Sequence, residues 1–242
     1  MKILIIRHGD PDYSIDSLTE KGWREAEYLS EKLKDIPAAG YYLSPLGRAK
    51  DTASLTLKKV GKEGEVFPWL REFQTTVTRP DRTESQDYPW DWLPADWAEE
   101  DIFYTDRWFD HPVMAKGNAG ANYRHVCGEL DKLIARHGYV REGRLYKAVK
   151  PNSDTIMLFC HFGLECVLLS HLLNISPMVL WHGSCAAPSS VTTLVTEERR
   201  EGTALFRMTG FGDVSHLYAR GEMPSPSARF CECYGNEEER HD

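Results

Sequence analysis

The stretch Lys2-Ile3-Leu4-Ile5-Ile6-Arg7-His8-Gly9 carries most of the information about this chain. Four consecutive apolar residues suit a strand buried on both faces, and such strands belong to parallel sheets. A basic residue, a histidine and a glycine come directly after it. In open parallel sheets, ligands bind outside the carboxyl ends of the strands. The same pattern recurs at Thr155 to Cys160, an apolar strand followed by His161-Phe162-Gly163. Tyr41-Tyr42-Leu43 is a short strand followed by Ser44-Pro45-Leu46-Gly47-Arg48. Val66 to Leu70 reads as a third strand, followed by Arg71-Glu72.

Helices alternate with these strands. Thr19 caps a helix running to about Lys34, with Trp23, Ala26, Leu29 and Leu33 on its inner face. Pro45 reads as the first residue of the next helix, which buries Leu46, Ala49, Ala53, Leu57 and Val60 and ends at Gly61. Asn122 to His137 is a third helix, and Gly163 to Leu173 is apolar on all sides, hence buried. Ser190 to Thr196 and Thr203 to Thr209 read as strands joined by a charged turn at Glu201-Gly202. The expected fold is α/β, a three-layer sandwich with a mainly parallel central sheet. Residues 1–222 form its domain, and residues 223–242 are expected as a flexible tail rich in Pro, Ser and charge. The stretch 73–121 breaks the alternation and reads as an inserted lid region.

Composition narrows the function. At 242 residues and 41% apolar content the chain buries a sizeable core without staples. No run of 18 apolar residues exists, so no spanning helix is expected, and a cytoplasmic location is the default. The net charge is −8, and ten acidic against two basic residues between Asp81 and Asp110 account for all of it. An acidic chain without a long basic run argues against nucleic-acid binding. The six cysteines include no Cys-x-x-Cys pair, so reduced thiols are expected. Cys231-x-Cys233 with His241 falls short of a closed four-ligand metal site. His8, Asp10 and Asp12 as a metal set would face repulsion from Arg7 and Arg48. No P-loop and no Gly-x-Ser-x-Gly elbow is present.

Two histidines, two or three arginines and a carboxylate are thus expected at one end of the sheet. Arginine forks hold phosphate oxygens bidentately. A neutral histidine attacks phosphorus, and a carboxyl group protonates the leaving oxygen. The insertion holds Trp90, Trp92, Trp97 and Trp108, with Tyr88, Phe103, Tyr104 and Phe109. These rings suit a satellite core or a substrate lid. An acidic lid over the site would disfavour polyanions, so the expected substrate is a monophosphate ester with an uncharged, aromatic or cationic remainder.

These motifs resemble the histidine phosphatase superfamily, which includes cofactor-dependent phosphoglycerate mutases and related phosphatases. Ile-Ile-Arg7-His8-Gly9 is similar to its signature, Leu18-Thr19-Glu20-Lys21-Gly22 with Ala26 to its first helix, and Ser44 to Ala49 with Thr52-Ala53 to its second motif. His161-Phe162-Gly163 resembles its second histidine block, and Phe211 to Leu217 its closing segment. The resemblance implies that His8 is the nucleophile that becomes phosphorylated. Arg7, Arg48 and His161 would bind the phosphoryl oxygens, and Glu72 would be the proton donor, with Asp10, Asp12 and Glu84 as alternative acids. It implies no metal or nucleotide cofactor. Phe162 places the chain nearer the mutase-type branch than the acid-phosphatase branch. Phe73-Gln74-Thr75 after Glu72, and Ser14, stand where mutases carry an Arg with a Tyr-Gly pair, and an Asn; both favour a phosphatase. A phosphomutase and a catalytically silent phosphate-binding protein stay open as alternatives. The expected partner is a small-molecule phosphate ester. A homodimer through edge strands or the 73–121 stretch is open.

Overall fold

The computed structural model describes residues 1–227 and 229–241. In chain order the strands and helices begin with β1 (Lys2–Arg7), β2 (Pro11–Asp12), β3 (Ser17–Leu18), α1 (Glu20–Leu33), β4 (Gly40–Leu43), α2 (Gly47–Val60) and β5 (Glu65–Val66). After the irregular stretch come α3 (Pro112–Lys116), α4 (Ala119–Arg136), β6 (Tyr139–Glu142), β7 (Leu145–Ala148), β8 (Thr155–Cys160) and α5 (Phe162–Leu173). The remainder is α6 (Pro177–Gly183), β9 (Val191–Arg200), β10 (Thr203–Asp213) and α7 (Ser215–Tyr218).

Eight strands form one sheet in the order β5-β4-β8-β1-β9-β10-β7-β6. The fold is α/β, as expected, but the sheet is mixed rather than mainly parallel. The half containing β5, β4, β8 and β1 is parallel. From β9 onward every ladder is antiparallel, because β9–β10 and β6–β7 are hairpins that turn straight back. Adding them at one edge leaves the parallel half intact, and that half carries the site.

The layers arise from the period-2 alternation of side chains along a strand. Leu4 and Ile6 of β1 join Met157 and Phe159 of β8 on one face, where Leu29 and Leu33 of α1 and Ala53 of α2 cover them. Ile3 and Ile5 join Ile156 and Leu158 on the other face, under Leu130 and Ile134 of α4 and Leu168 of α5. Ile3, Ile5 and Ile6 are fully buried, each contributing about 1.5–3 kcal/mol. The result is helix, sheet, helix.

Several local expectations are corrected. Thr19 caps α1 and its side chain accepts the Gly22 amide, but Trp23 is 39% exposed; the inner face runs through Gly22, Ala26, Leu29 and Leu33. The second helix starts at Gly47, not Pro45, since Leu46 is still extended at its N-cap. The third strand is only Glu65–Val66, and Pro68 turns the chain into a 3-10 turn through Leu70. The insertion is built of 3-10 turns and the short α3. Trp92, Trp97, Phe103 and Trp108 join the main core, while Tyr88 and Trp90 are less buried. The rings therefore anchor the insertion, and only its first part faces the site. From Met223 the described residues form no helix or strand. They lie against the domain, where Ser225 is buried and donates to Asp10, and Arg240 pairs with Asp91 at 2.7 Å. No helix among the described residues is long and apolar enough to cross a membrane.

Candidate active site

Three parallel neighbours, β4, β8 and β1, end at the same level: Leu43 pairs with Phe159, and Arg7 with Cys160. The residues immediately beyond are Ser44, His161 and His8, so the register itself gathers them. His8 and His161 are buried with ring centroids 5.1 Å apart. The Nδ1 of His8 lies 2.7 Å from the Gly9 carbonyl oxygen. A carbonyl only accepts, so Nδ1 carries the proton and Nε2 keeps its lone pair. Burial, then the positive charge of Arg7, hold the His8 pKa well below its ordinary value near 6.5. The ring is neutral at neutral pH, with its Nε2 unprotonated.

The Nε2 of His161 lies 2.7 Å from the Ser44 hydroxyl, which itself accepts the Leu46 amide. Ser44 can donate to Nε2 while accepting the Leu46 amide, and in that tautomer Nδ1 carries the proton. That buried Nδ1 has no hydrogen-bond partner. Burial, then His8 and both arginines, lower the pKa of His161 as well.

Arg7, Arg48 and Glu72 line one cavity of about 580 Å³. Arg7 is 3% exposed; its Nη1 donates to the carbonyls of Ala186 and Ser227, and its Nε is buried without a partner. Arg48 is held by Asp16, whose Oδ1 is 2.6 Å from Nη1 and whose Oδ2 accepts the Gly47 amide at 2.7 Å. Only glycine fits at position 47, because a Cβ there would sit 2.0 Å from the Asp16 carbonyl oxygen. The Arg48 Nε is also buried and unpartnered. Two guanidinium groups with unpartnered donors, close to a histidine pair, are the residue types that hold phosphate oxygens.

Glu72 sits on the N-terminus of α5. Its Oε1 accepts the amides of Phe73 and Leu164 at 2.8 Å each, and its Oε2 that of Gly163 at 3.3 Å. Burial raises its pKa above the ordinary 4.5, against the pull of those amides.

Of the five predicted site residues, Arg7, Arg48 and Glu72 share the cavity wall, and His8 and His161 pack on each other within electrostatic reach of Arg7 and Arg48 without lining that cavity. The three alternative acids do not line it. Asp10 is spent on the hydroxyls of Thr19, Ser225 and Ser227. Asp12 bonds Ser14 outside the cavity wall, and Glu84 is exposed away from that wall. No cluster of three or more metal-ligating side chains occurs among the described residues, including around Cys231, Cys233 and His241. Sequence reasoning missed Asp16, Tyr13, Gln74, Asp91 and Arg240, which also line the cavity. They reach it through loops and the C-terminal segment, and no spacing rule links them to His8. Asp16 takes a left-handed φ of 49°, a conformation that Asp adopts more readily than most residues.

A histidine pair and Arg7 stand at the carboxyl ends of parallel strands, with Arg48 at the start of α2. The family model described as "Histidine phosphatase superfamily (branch 1)" matches residues 3–208, and the chain belongs to that superfamily. It is 38% identical over 74 residues to a 2,3-bisphosphoglycerate-dependent phosphoglycerate mutase of Thermoplasma acidophilum, a match covering 26% of this chain and 37% of the mutase. It is 23% identical over 194 residues to an adenosylcobalamin/alpha-ribazole phosphatase of Salmonella typhi, covering 75% of this chain and 84% of that protein. Among solved structures, a phosphoserine phosphatase of Entamoeba histolytica superposes with a TM-score of 0.60 at 19% identity, over 89% of this chain and 98% of the other. A phosphoglycerate mutase of Bacillus anthracis gives 0.61 at 21% identity, over 92% and 97%. These last two establish a shared fold.

Proposed function

We propose that the protein is a phosphomonoesterase that hydrolyses small-molecule phosphate esters through a phosphohistidine at His8. The observation that carries this reading is the hydrogen bond from His8 Nδ1 to Gly9, which leaves Nε2 free to attack. The phosphoryl group would sit among Arg7, Arg48 and the Nδ1–H of His161. Nε2 attacks phosphorus as the ester P–O bond breaks, and the Glu72 carboxyl gives its proton to the leaving oxygen. The resulting carboxylate then takes a proton from water as that water attacks the phosphohistidine. The P–N bond breaks and inorganic phosphate departs. Catalysis in this scheme is positioning and charge stabilisation by protein groups, with no nucleotide or metal in any step.

The test is phosphate release from a panel of phosphomonoesters by wild type and His8→Ala. Release should fall by at least about 10³-fold in the variant. Undiminished release by His8→Ala would overturn the reading. The match to a mutase keeps a second reading in view, a phosphomutase that shares the first half-reaction. Retention of the phosphoryl group on a phosphoglycerate, in place of free phosphate, would select it.

A further inference from the structure

The cavity that holds Arg7 and Arg48 has a neighbour. A second cavity of about 480 Å³ shares Trp90 and Asp91 with it, so these two residues form a common wall. The second cavity is walled chiefly by rings and alkyl groups: Trp92, Leu93, Trp181 and Phe230 besides Trp90. The common wall is fixed in place. The Trp90 indole stacks on Tyr88 with centroids 4.8 Å apart and planes 4° from parallel. It also packs so closely on α5 that a Cβ at Gly163 would fall 2.4 Å from the ring and 2.8 Å from Glu72 Oε1. Trp90 is thereby set beside the candidate acid. Trp181 is oriented from the same helix, its Nε1 donating to the Gly163 carbonyl at 2.9 Å.

The charges in the second cavity are matched. Asp91 in the common wall pairs with Arg240 at 2.7 Å, and Arg229 pairs with Glu232. A second phosphate or carboxylate on the substrate would face the Asp91 carboxylate and compete with Glu232 for Arg229. A flat apolar group would instead meet ring faces and edges, the geometry that aromatic packing favours.

We propose that this second cavity is the leaving-group subsite, and that it takes a planar aromatic group carried by the alcohol portion of the phosphate ester. The inference rests on the phosphomonoesterase reading for its chemistry. Trp90 and Asp91 line both cavities, and this adjacency is what commits the occupant to the other end of the same molecule.

The experiment compares 1-naphthylmethyl phosphate with ethyl phosphate. Both are primary alkyl esters, so the leaving alkoxides have similar basicity and the ratio of kcat/KM reads the subsite. A preference of at least about tenfold for the aromatic ester is expected, which corresponds to about 1.4 kcal/mol. Leu93→Trp, which fills the cavity, should reduce that preference at least about fivefold, and Phe230→Ala, which removes a wall, should reduce it independently. Equal kcat/KM for the two esters, or a preference untouched by both variants, would overturn the subsite while leaving the phosphatase standing. Calorimetric binding of the matching phosphonates, which cannot be hydrolysed, separates the reverse case. Tighter binding of naphthylmethylphosphonate than ethylphosphonate, weakened by Leu93→Trp, without hydrolysis of either ester, would sustain the subsite and sink the phosphatase. Equal binding without hydrolysis would overturn both.

Discussion

The carboxylate of Glu72 accepts the Leu164 amide at 2.8 Å, and this bond ties the candidate acid to the helix that begins directly after His161. Two influences oppose each other there. Burial favours the neutral carboxyl, and the amides of Phe73, Leu164 and Gly163 favour the anion; burial prevails and the pKa rises. His8 is shifted the other way, well below 6.5. Attack needs neutral His8 and protonated Glu72, so activity rises as pH passes up through the His8 pKa and falls as it passes up through that of Glu72. The acidic limb of kcat/KM should therefore lie below pH 6.5, and the basic limb above 4.5. Glu72→Gln should lower kcat by about 10²–10⁴-fold and abolish the basic limb of the enzyme. An unchanged profile in Glu72→Gln would remove Glu72 from the proton path.

Asp16 holds Arg48 in position, its two oxygens engaged by Arg48 and Gly47. Arg48→Ala should cost about 10²–10³-fold in kcat/KM, the scale of losing one preorganised charge donor. Asp16→Asn keeps the shape but not the charge, so the loss should be smaller, about fivefold to tenfold, and should fall mainly on KM. Steady-state kinetics on both variants checks this. Equal losses would mean that Asp16 takes part in the chemistry directly.

Metal removal gives an independent check. The carboxylates after β1 are already engaged: Asp10 by three hydroxyls and Asp12 by Ser14. Excess EDTA should leave the rate of ester hydrolysis unchanged. Inhibition by EDTA that is reversed on adding a divalent cation would refute the histidine mechanism in favour of metal-assisted hydrolysis.

The strands that position the site were legible because burial on both faces leaves continuous apolar runs, as in β1 and β8. Arg7, His8 and His161 stand at or just past the carboxyl end of such a run, and Thr19 shows itself by its capping chemistry. Other features are set by packing at a distance. The β6–β7 hairpin has strands of only four residues each, with buried positions at Tyr139, Tyr146 and Ala148, and alternation that short does not stand out in the sequence. Trp23 lies on the helix stripe by spacing, yet ends half-covered at its edge. Gln74, Trp90, Asp91 and Arg240 converge with Arg7 only after the insertion and the C-terminal segment have folded against the sheet. Gly163 shows the coupling most directly. In the sequence it reads as one residue of a motif, whereas in the fold its missing Cβ is the space that Trp90 fills.

Glu165 carries the last expectation. It is 1% exposed, on α5 one turn after His161, and neither carboxyl oxygen has a hydrogen bond of normal geometry. Burial raises its pKa to about 7, with Thr192 and Arg7 pulling down and Glu72 pushing up. An unfolded glutamate titrates near 4.5, so between about 4.5 and about 7 the native state holds more protons than the unfolded one. Stability contributed at this site is therefore greatest below pH 4.5, falls as pH rises toward 7, and is level beyond. Glu25, also raised to about 7 by burial, acts in the same direction. Glu165→Gln stays neutral at every pH. The variant should be more stable than wild type at pH 8, on the order of 1–3 kcal/mol, and the gap should close as pH is lowered toward 4.5. Urea unfolding of both proteins across this range measures it. A wild type as stable as the variant at pH 8 would mean that the Glu165 carboxylate finds compensation in the native state, most directly from the Arg7 guanidinium, and that the charge of the phosphate cavity extends through the wall to this residue.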